Sequence, residues 1–588
     1  VPGAPVASEP TASAGSAVSN ATASAGARAT DDDRADVLSR GVRERLDAVR
    51  ENGVSGVPFR VYVHTTPGEV ERIARQVRER GRVRDVLVGE RAVAATLTAD
   101  ALTDVARLDP VTGISREAQY ALTAADRKAP ARRGSTADVP AVARPARASS
   151  DLRTPTTTPG GNDSWGVQYV DAGPLHARGV NGSNVTVAVI DSGIDEAATP
   201  LDDRVVAEGY FGPDPDDGNH SGEFPARRPP VPDDRPTDLD GHGTSVAGIV
   251  AAPETTVTRP DGRPSEIVGV APDASLLDAK AAGLSNLMLR HGPDVKPEFG
   301  NATRRLTDDD TEYVNVSQNA LTDDARWTRV RVTWESPSNN VSLTLLDENG
   351  NPVAASHGPP SETSTTLHVN RTRSTVGNAV ADVRLETDDV SYIGTRGLRA
   401  NVTVDRFARR VWDSDLTRAI DWAAGTTGQT LDDDPIDPGA GADPTADVIA
   451  LTISTPHNGT VFADNATARA TRSGTLVVAS AGNYSDPANR TVTPLKGQKN
   501  VVTVGAINRT GNRTPWSRTG HDAPGTANDV YAPDLVAPGT AINSTGTPTR
   551  VPQVPRVGSG TDGTVMSGTS QAAAHVAGVA ALYVEQQR

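Results

Sequence analysis

The stretch Ser567-Gly568-Thr569-Ser570-Gln571-Ala572-Ala573-Ala574-His575-Val576-Ala577-Gly578 decides how this chain is read. Small residues lead into an alanine-rich apolar run that continues to Val584. Gly568 permits a tight approach, and the alanines favour a closely packed helix. A serine at such a helix start holds its hydroxyl near the positive end of the helix, where developing negative charge is stabilised. Taken alone, Gly-Thr-Ser before an alanine run is an ordinary helix cap. Any chemistry at Ser570 therefore needs partners from elsewhere in the chain.

Composition narrows the field first. The 588 residues allow about three or four domains. The formal net charge is -16, with five lysines against 53 arginines and aspartate well above glutamate. No basic patch is present for nucleic acid. An acidic, lysine-poor surface suits high salt, which screens its self-repulsion. Cysteine is absent, which excludes disulfides and thiol chemistry. No run of 18 apolar residues exists, so no membrane span is expected within the chain. The small-residue tract after Val1 fits a segment whose secretory signal has been removed, and a trimmed chain would look the same. Asn-x-Ser/Thr triplets at Asn184, Asn301, Asn315, Asn401 and Asn458 leave glycosylation open.

Working outward, the apolar run Asn184 to Ile190 reads as a buried parallel strand ending in Asp191-Ser192-Gly193-Ile194-Asp195. A carboxylate at the carboxyl end of such a strand lies where open α/β sheets place their sites. Asp240-Gly241-His242-Gly243-Thr244-Ser245 sets a histidine between glycines at a helix start. Buried strands follow at Val448 to Ile453, Leu476 to Ser480 and Val501 to Ala506, the second ending in Ala481-Gly482-Asn483. Asp191, His242 and Ser570 thus follow the order acid, base, nucleophile, one known arrangement for acyl transfer. Asn483 and the Ser570 backbone N–H are the candidate donors to an oxyanion.

These motifs resemble the subtilisin-like serine proteases. Val187 to Asp195 looks like their aspartate motif and His242 to Gly248 like their histidine motif. Ser567 to Ser570 with His575 to Gly578 looks like the serine motif, and Ala479 to Asn483 like the oxyanion segment. Trp165 to Gln168 resembles the lead-in to the first catalytic strand. The resemblance implies an α/β fold with a subtilisin-like parallel sheet. It implies catalytic Asp191, His242 and Ser570, with Asn483 in the oxyanion hole, and substrate contacts at Thr452, Ile453, Ser454, Ser480, Ala481 and Gly482. Gln571 stands where methionine is common, so peroxide tolerance is expected. Ser454 stands where glycine is usual, which adds bulk to the substrate pocket and predicts altered specificity.

The remaining segments arrange around this centre. Residues 1–30 are Ala/Ser/Thr-rich and read as disordered. Residues 31–118, with a core at about 55–117, alternate strand and helix patterns, with Thr66 as N-cap of a helix to about Gly81. By the resemblance this unit is an inhibitory pro-domain; from the residues alone it is an independent binding domain. Residues 119–163 read as a linker open to proteolysis, with Arg132 and Arg133 exposed. The catalytic domain is expected in two parts, 164–282 and 412–588. An all-β, sandwich-like module is expected between them at 283–411, from short alternating runs separated by turn signals.

The expected protein is therefore a secreted, self-processing serine endopeptidase, acting on proteins or peptides with its own pro-domain as intramolecular inhibitor. A monomer is expected, surface-associated if the chain continues past Arg588. The alternatives are a processing protease of restricted specificity and a catalytically silent binding relative. The chemistry requires no cofactor. The resemblance leaves structural calcium open, with Asp214-Pro215-Asp216-Asp217 and Asp308-Asp309-Asp310 as oxygen-rich clusters. In so acidic a chain these read more readily as solvated loops, and metal ligands are unassigned.

Overall fold

The computed structural model describes residues 37–51, 59–121, 164–195, 200–211, 238, 241–259, 262–286, 301–306, 312–315, 327–334, 341–346, 352–357, 364–370, 382–387, 398–429, 444–453, 462–483, 492, 500–520, 532–546 and 563–588. The expectations for residues 1–30, Arg132, Arg133, Ser454 and the two aspartate clusters lie outside the described residues.

The N-terminal unit runs α1 (Arg40–Glu51), β1 (Phe59–Thr65), α2 (Val70–Arg78), β2 (Arg82–Leu87), β3 (Ala92–Leu97), α3 (Ala99–Ala106) and β4 (Val111–Arg116). Its antiparallel sheet has the order β2-β3-β1-β4. Alternation in β1 sends Phe59, Val61 and Val63 into a core with Leu46, Ile73, Leu102 and Ile114. Thr98 caps α3, its side chain accepting from the Ala101 N–H. Thr66 does not cap α2: Glu69 holds that position, and the Thr66 carbonyl accepts from Glu69 N in a turn (3.2 Å). Pro67 and Gly68 set that turn, which places Thr66 three residues ahead of the cap. The linker expected from residue 119 also begins differently, with the strand β5 (Gln119–Ala121).

The next segment contains α4 (Trp165–Tyr169), α5 (Gly173–His176), β6 (Thr186–Asp191), β7 (Val205–Tyr210), α6 (His242–Ala251), β8 (Thr255–Thr258), β9 (Pro264–Ile267) and β10 (Ser275–Lys280). The chain then enters the β module: β11 (Gly283–Asn286), β12 (Asn301–Leu306), β13 (Glu312–Asn315), β14 (Trp327–Trp334), β15 (Val341–Leu346), β16 (Pro352–His357), β17 (Ser364–Asn370), β18 (Asp382–Thr387) and β19 (Leu398–Trp412). Two antiparallel sheets result, one built around β19 and one of order β13-β18-β15-β16. The α/β pattern resumes with α7 (Asp413–Ala423), β20 (Val448–Leu451), α8 (Ala463–Arg472), β21 (Leu476–Ser480), β22 (Val501–Ile507), β23 (Leu535–Pro538), β24 (Ile542–Thr545), β25 (Gly563–Met566) and α9 (Thr569–Gln587).

The central sheet has seven parallel strands in the order β23-β22-β21-β20-β6-β10-β7. Both faces of β6 are buried. Val187 and Val189 pack with Val246, Ala573 and Ala577 on one side, and Ala188 and Ile190 pack with Leu277, Leu416 and Ala466 on the other. Each fully buried valine or isoleucine contributes about 1.5–3 kcal/mol. The small residues of α6 and α9 let those two helices pack together within the first layer.

The N-terminal unit docks along α7 and α8, from their first residues to their last turns. Arg84 bridges Glu117 and Asp415, each at 3.0 Å. Glu117 accepts from the Ser414 backbone N–H (3.3 Å), satisfying one of the donors left open at the start of α7. The Tyr62 hydroxyl donates to Asp413 (2.8 Å), and Arg60 lies over the Trp412 ring at 3.8 Å. On α8, Arg469 joins Glu90 to Asp421, both at 2.7 Å.

Candidate active site

Asp191 ends β6 with its side chain fully buried, and α6 begins at His242, on the next layer. Gly243 makes the approach possible: a Cβ there would lie 2.2 Å from the Gly193 carbonyl oxygen. The Asp191 carboxylate accepts from His242 Nδ1 through both oxygens, at 2.8 and 2.9 Å. It also accepts from Ser192 N (2.6 Å) and from the Thr452 hydroxyl. Burial alone would push this carboxyl up; the charge of His242 and the hydrogen bonds from His242, Thr452 and Ser192 outweigh it and hold Asp191 below its ordinary range.

Ser570 is the second residue of α9, so its N–H is among the four that no helical carbonyl can satisfy. Its hydroxyl donates to the Thr452 carbonyl (3.3 Å). Asn483 follows β21, where Gly482 adopts φ +95°, a left-handed conformation that glycine tolerates. The Asn483 Oδ1 accepts from Thr569 N (3.0 Å) and the Thr569 hydroxyl (3.1 Å), and Gly482 N donates to that hydroxyl (3.0 Å). With Oδ1 so engaged, the amide NH2 is turned away from Thr569.

Thr452, Ser480 and Ala481 are buried around this centre, and Ile453 belongs to the core beneath it. Thr452, expected as a substrate contact, serves two anchoring bonds here: its carbonyl receives Ser570 and its hydroxyl meets Asp191. His575 is buried and donates to the Gln571 carbonyl (2.7 Å), with burial pulling its pKa down to about 4, which agrees with a packing role. Gln571 is also buried. Its amide nitrogen lies 3.8 Å from the Met566 sulfur, so an oxidisable side chain does pack one residue from Ser570.

Two residues escaped sequence reasoning. Asp238 is buried; Oδ1 accepts from Ser192 Oγ (3.0 Å) and Gly241 N (2.8 Å), and Oδ2 from Thr244 N (2.9 Å) and Thr244 Oγ1 (2.7 Å). It ties the aspartate loop to the histidine helix. An aspartate shortly before a helix start was the available signal. Asp278 is buried in β10, accepts from Ile194 N (2.9 Å), and is pushed well up, first by burial. Among the described residues no group of three or more metal-type side chains is present, and no helix is long and apolar enough to cross a membrane.

With this geometry in view, comparison with known proteins is specific: the chain belongs to the subtilase family, whose model matches residues 182–293 and 370–588, more than half of the chain. Among curated proteins it is similar to the major intracellular serine protease of Bacillus subtilis (strain 168), 34% identical over 121 residues, 21% of this chain and 31% of that protein. It is similar to Subtilisin E of the same organism, 34% identical over 116 residues, 20% of this chain and 23% of the relative. Subtilisin Savinase of Lederbergia lenta is 34% identical over 121 residues, 21% of this chain and 34% of the relative. The aligned part thus spans about a third or less of each relative.

Proposed function

We propose that the protein is a serine endopeptidase made as a self-processing proenzyme. The observation that carries this reading is the pairing of both Asp191 oxygens with His242 Nδ1. That pairing places the proton on Nδ1 and leaves Nε2 as a base. His242 takes the Ser570 proton as Oγ bonds to the substrate carbonyl carbon. The Asn483 amide and the Ser570 N–H stabilise the resulting oxyanion. His242 then gives the proton to the leaving nitrogen as the C–N bond breaks. Water, deprotonated by His242, attacks the acyl ester; the C–Oγ bond breaks, the acid leaves and His242 returns the proton to Ser570 Oγ.

Proteins or peptides are the substrates in this reading, and residues 31–118 are the intramolecular inhibitor, supported by their docking on α7 and α8. Secretion rests on composition alone, and the name of one relative specifies an intracellular enzyme. A processing protease of narrow specificity is the second reading, favoured by the position of β19 beside the site. No metal enters the chemistry proposed. The test is labelling with a fluorophosphonate: the mature protein is expected to label and its Ser570→Ala variant not to. A folded, mature-length protein that fails to label would overturn the reading.

A further inference from the structure

Asn483 is held by two anchors from different parts of the chain. The start of α9 holds its side chain, where Oδ1 accepts from Thr569 N and from the Thr569 hydroxyl. Ser517 and Arg518, in the stretch after β22, hold its main chain. Asn483 pairs with Ser517 in an antiparallel bridge, and the Gly482 carbonyl accepts from Arg518 N at 3.0 Å. That stretch is itself fixed to the sheet. Ser517 Oγ accepts from Ala506 N of β22 (3.1 Å), and Arg513 donates to the Ser517 carbonyl (2.8 Å).

The weak point between the anchors is Gly482. At φ +95° it has the freedom its backbone needs there, and it has no side chain of its own to hold one state. Arg518 covers it. A Cβ on Gly482 would lie 3.0 Å from Arg518 Cδ and 3.3 Å from Nε, so the arginine stem fills the space that the glycine leaves. Nε then donates to the Asn483 carbonyl at 3.4 Å. One half-buried side chain thus touches both residues, and its main chain binds the first of them. Burial pulls the Arg518 pKa below its ordinary value, as for a cation partly withdrawn from water.

We propose that Arg518 is a positioning residue for the oxyanion hole. It fixes Gly482 and Asn483 so that the Asn483 amide and the Ser570 N–H address one point. It touches no reacting atom and acts through Asn483. The proposal rests on the endopeptidase reading and adds a residue that no local motif marks, 35 positions from Asn483 in the chain. Acting through Asn483 has two consequences. Loss of Arg518 costs no more than loss of the Asn483 amide, which is worth about 10²–10³ in kcat. The loss also falls on the transition state, where the negative oxygen forms, and leaves KM nearly unmoved.

The experiment is a double-mutant cycle on the mature protein, with Asn483→Ala, Arg518→Ala and the two combined. Variants that do not process themselves are matured by wild-type protein on beads, which is then removed. Fluorophosphonate labelling counts the active molecules, so that a poorly folded variant is not mistaken for a slow one. The readouts are kcat and KM on a peptide anilide and the inhibition constant of a peptide boronate, whose boron-bound oxygen takes the oxyanion's place. Arg518→Ala is expected to lower kcat by about 10–30-fold with KM within about twofold. Boronate affinity falls by the same factor as kcat/KM. In the Asn483→Ala background, Arg518→Ala costs less than about twofold more. Arg518→Met keeps an unbranched stem over Gly482 and loses only the Nε–H; its expected loss is about threefold, and it stands in if the alanine variant fails to fold. An unchanged kcat, a change in KM alone, or a loss as large without Asn483 as with it overturns the proposal and leaves the endopeptidase reading standing. Wild-type protein that neither cleaves the peptide nor labels overturns that reading, and the proposal with it.

Discussion

Asp191 and Asp415 are both buried carboxylates beside a helix start, yet their charge is controlled in opposite ways. Asp191 has three hydrogen-bond donors, one of them a histidine, and its pKa falls. Asp415 shares one guanidinium, Arg84, with Glu117, and its main-chain donor, Trp412 N, stands at 3.4 Å. Burial, partly offset by Arg84 and reinforced by Glu117, raises it to about 6. Asp85 behaves likewise: burial leads, the Arg418 ion pair at 2.7 Å opposes, Asp415 adds repulsion, and the carboxyl rises to about 7. Burial is common to all three. The number of dedicated donors and the sign of the nearest charges decide the outcome. In the candidate active site, His242 and the hydrogen bonds to Asp191 favour its ionised form. The docking interface crowds carboxylates around shared arginines, and its charge state follows the solution.

The largest expected effect breaks this comparison most directly. Asp191→Asn should lower kcat by about four orders of magnitude, because an amide there selects the wrong imidazole tautomer. Asp415→Asn should leave kcat of the mature protein near wild type, since that residue meets Arg84 across the docking interface and Trp412 N at the start of its own helix, and an asparagine can still accept from Trp412 N. Steady-state kinetics on both variants checks this. A comparable loss in both would mean that the two carboxylates are not functionally distinct.

The next effect concerns the arginine that two carboxylates share. Arg84→Met in the uncut Ser570→Ala chain would leave Glu117 and Asp415 buried without their ion-paired partner, with only the more distant charge of Arg60 to offset them. Such a loss costs about 3–5 kcal/mol. Amide exchange at Ser414 to Thr417 should accelerate by two to three orders of magnitude if docking is what protects them. Unchanged exchange would show that α7 is capped without the N-terminal unit.

The contrast also explains what the sequence made legible. Asp191, His242, Ser570 and Asn483 each sit in a short local pattern, an apolar strand or a helix start flanked by glycine, and the parallel sheet brings those strand ends together. The interface of Arg84, Glu117 and Asp415 joins residues some 300 positions apart through ordinary-looking charges. No local period marks it, and a charge in an amphipathic segment reads first as solvated. β5 was hidden for a related reason. Three residues carry no period, and their pairing partner lies at the far end of the β module. The Thr66 cap fails because the turn through Pro67 and Gly68 puts that hydroxyl three residues ahead of the helix cap, Glu69.

The smallest effect tests the charge control itself. Asp85 and Asp415 are raised when docked and return toward about 4 once the units separate. The docked state therefore binds extra protons between these values. Its added stability is complete below about pH 4 and is lost as pH rises through about 6 for Asp415 and about 7 for Asp85. The groups facing Asp85 are Arg418, Asp415, Arg84 and Glu117, so the loss is shared and the slope stays below one decade per pH unit per carboxyl. After the cut, release of the N-terminal unit should thus quicken from pH 5 to pH 8, as followed by the appearance of peptide hydrolysis. Asp85→Asn, neutral at every pH, should flatten that profile above about pH 7, where Asp415 has already lost most of its proton. A release rate that falls toward alkaline pH, or an unaltered slope in Asp85→Asn, would show that Arg418 and Arg84 hold both carboxylates ionised and that the interface resembles the active site after all.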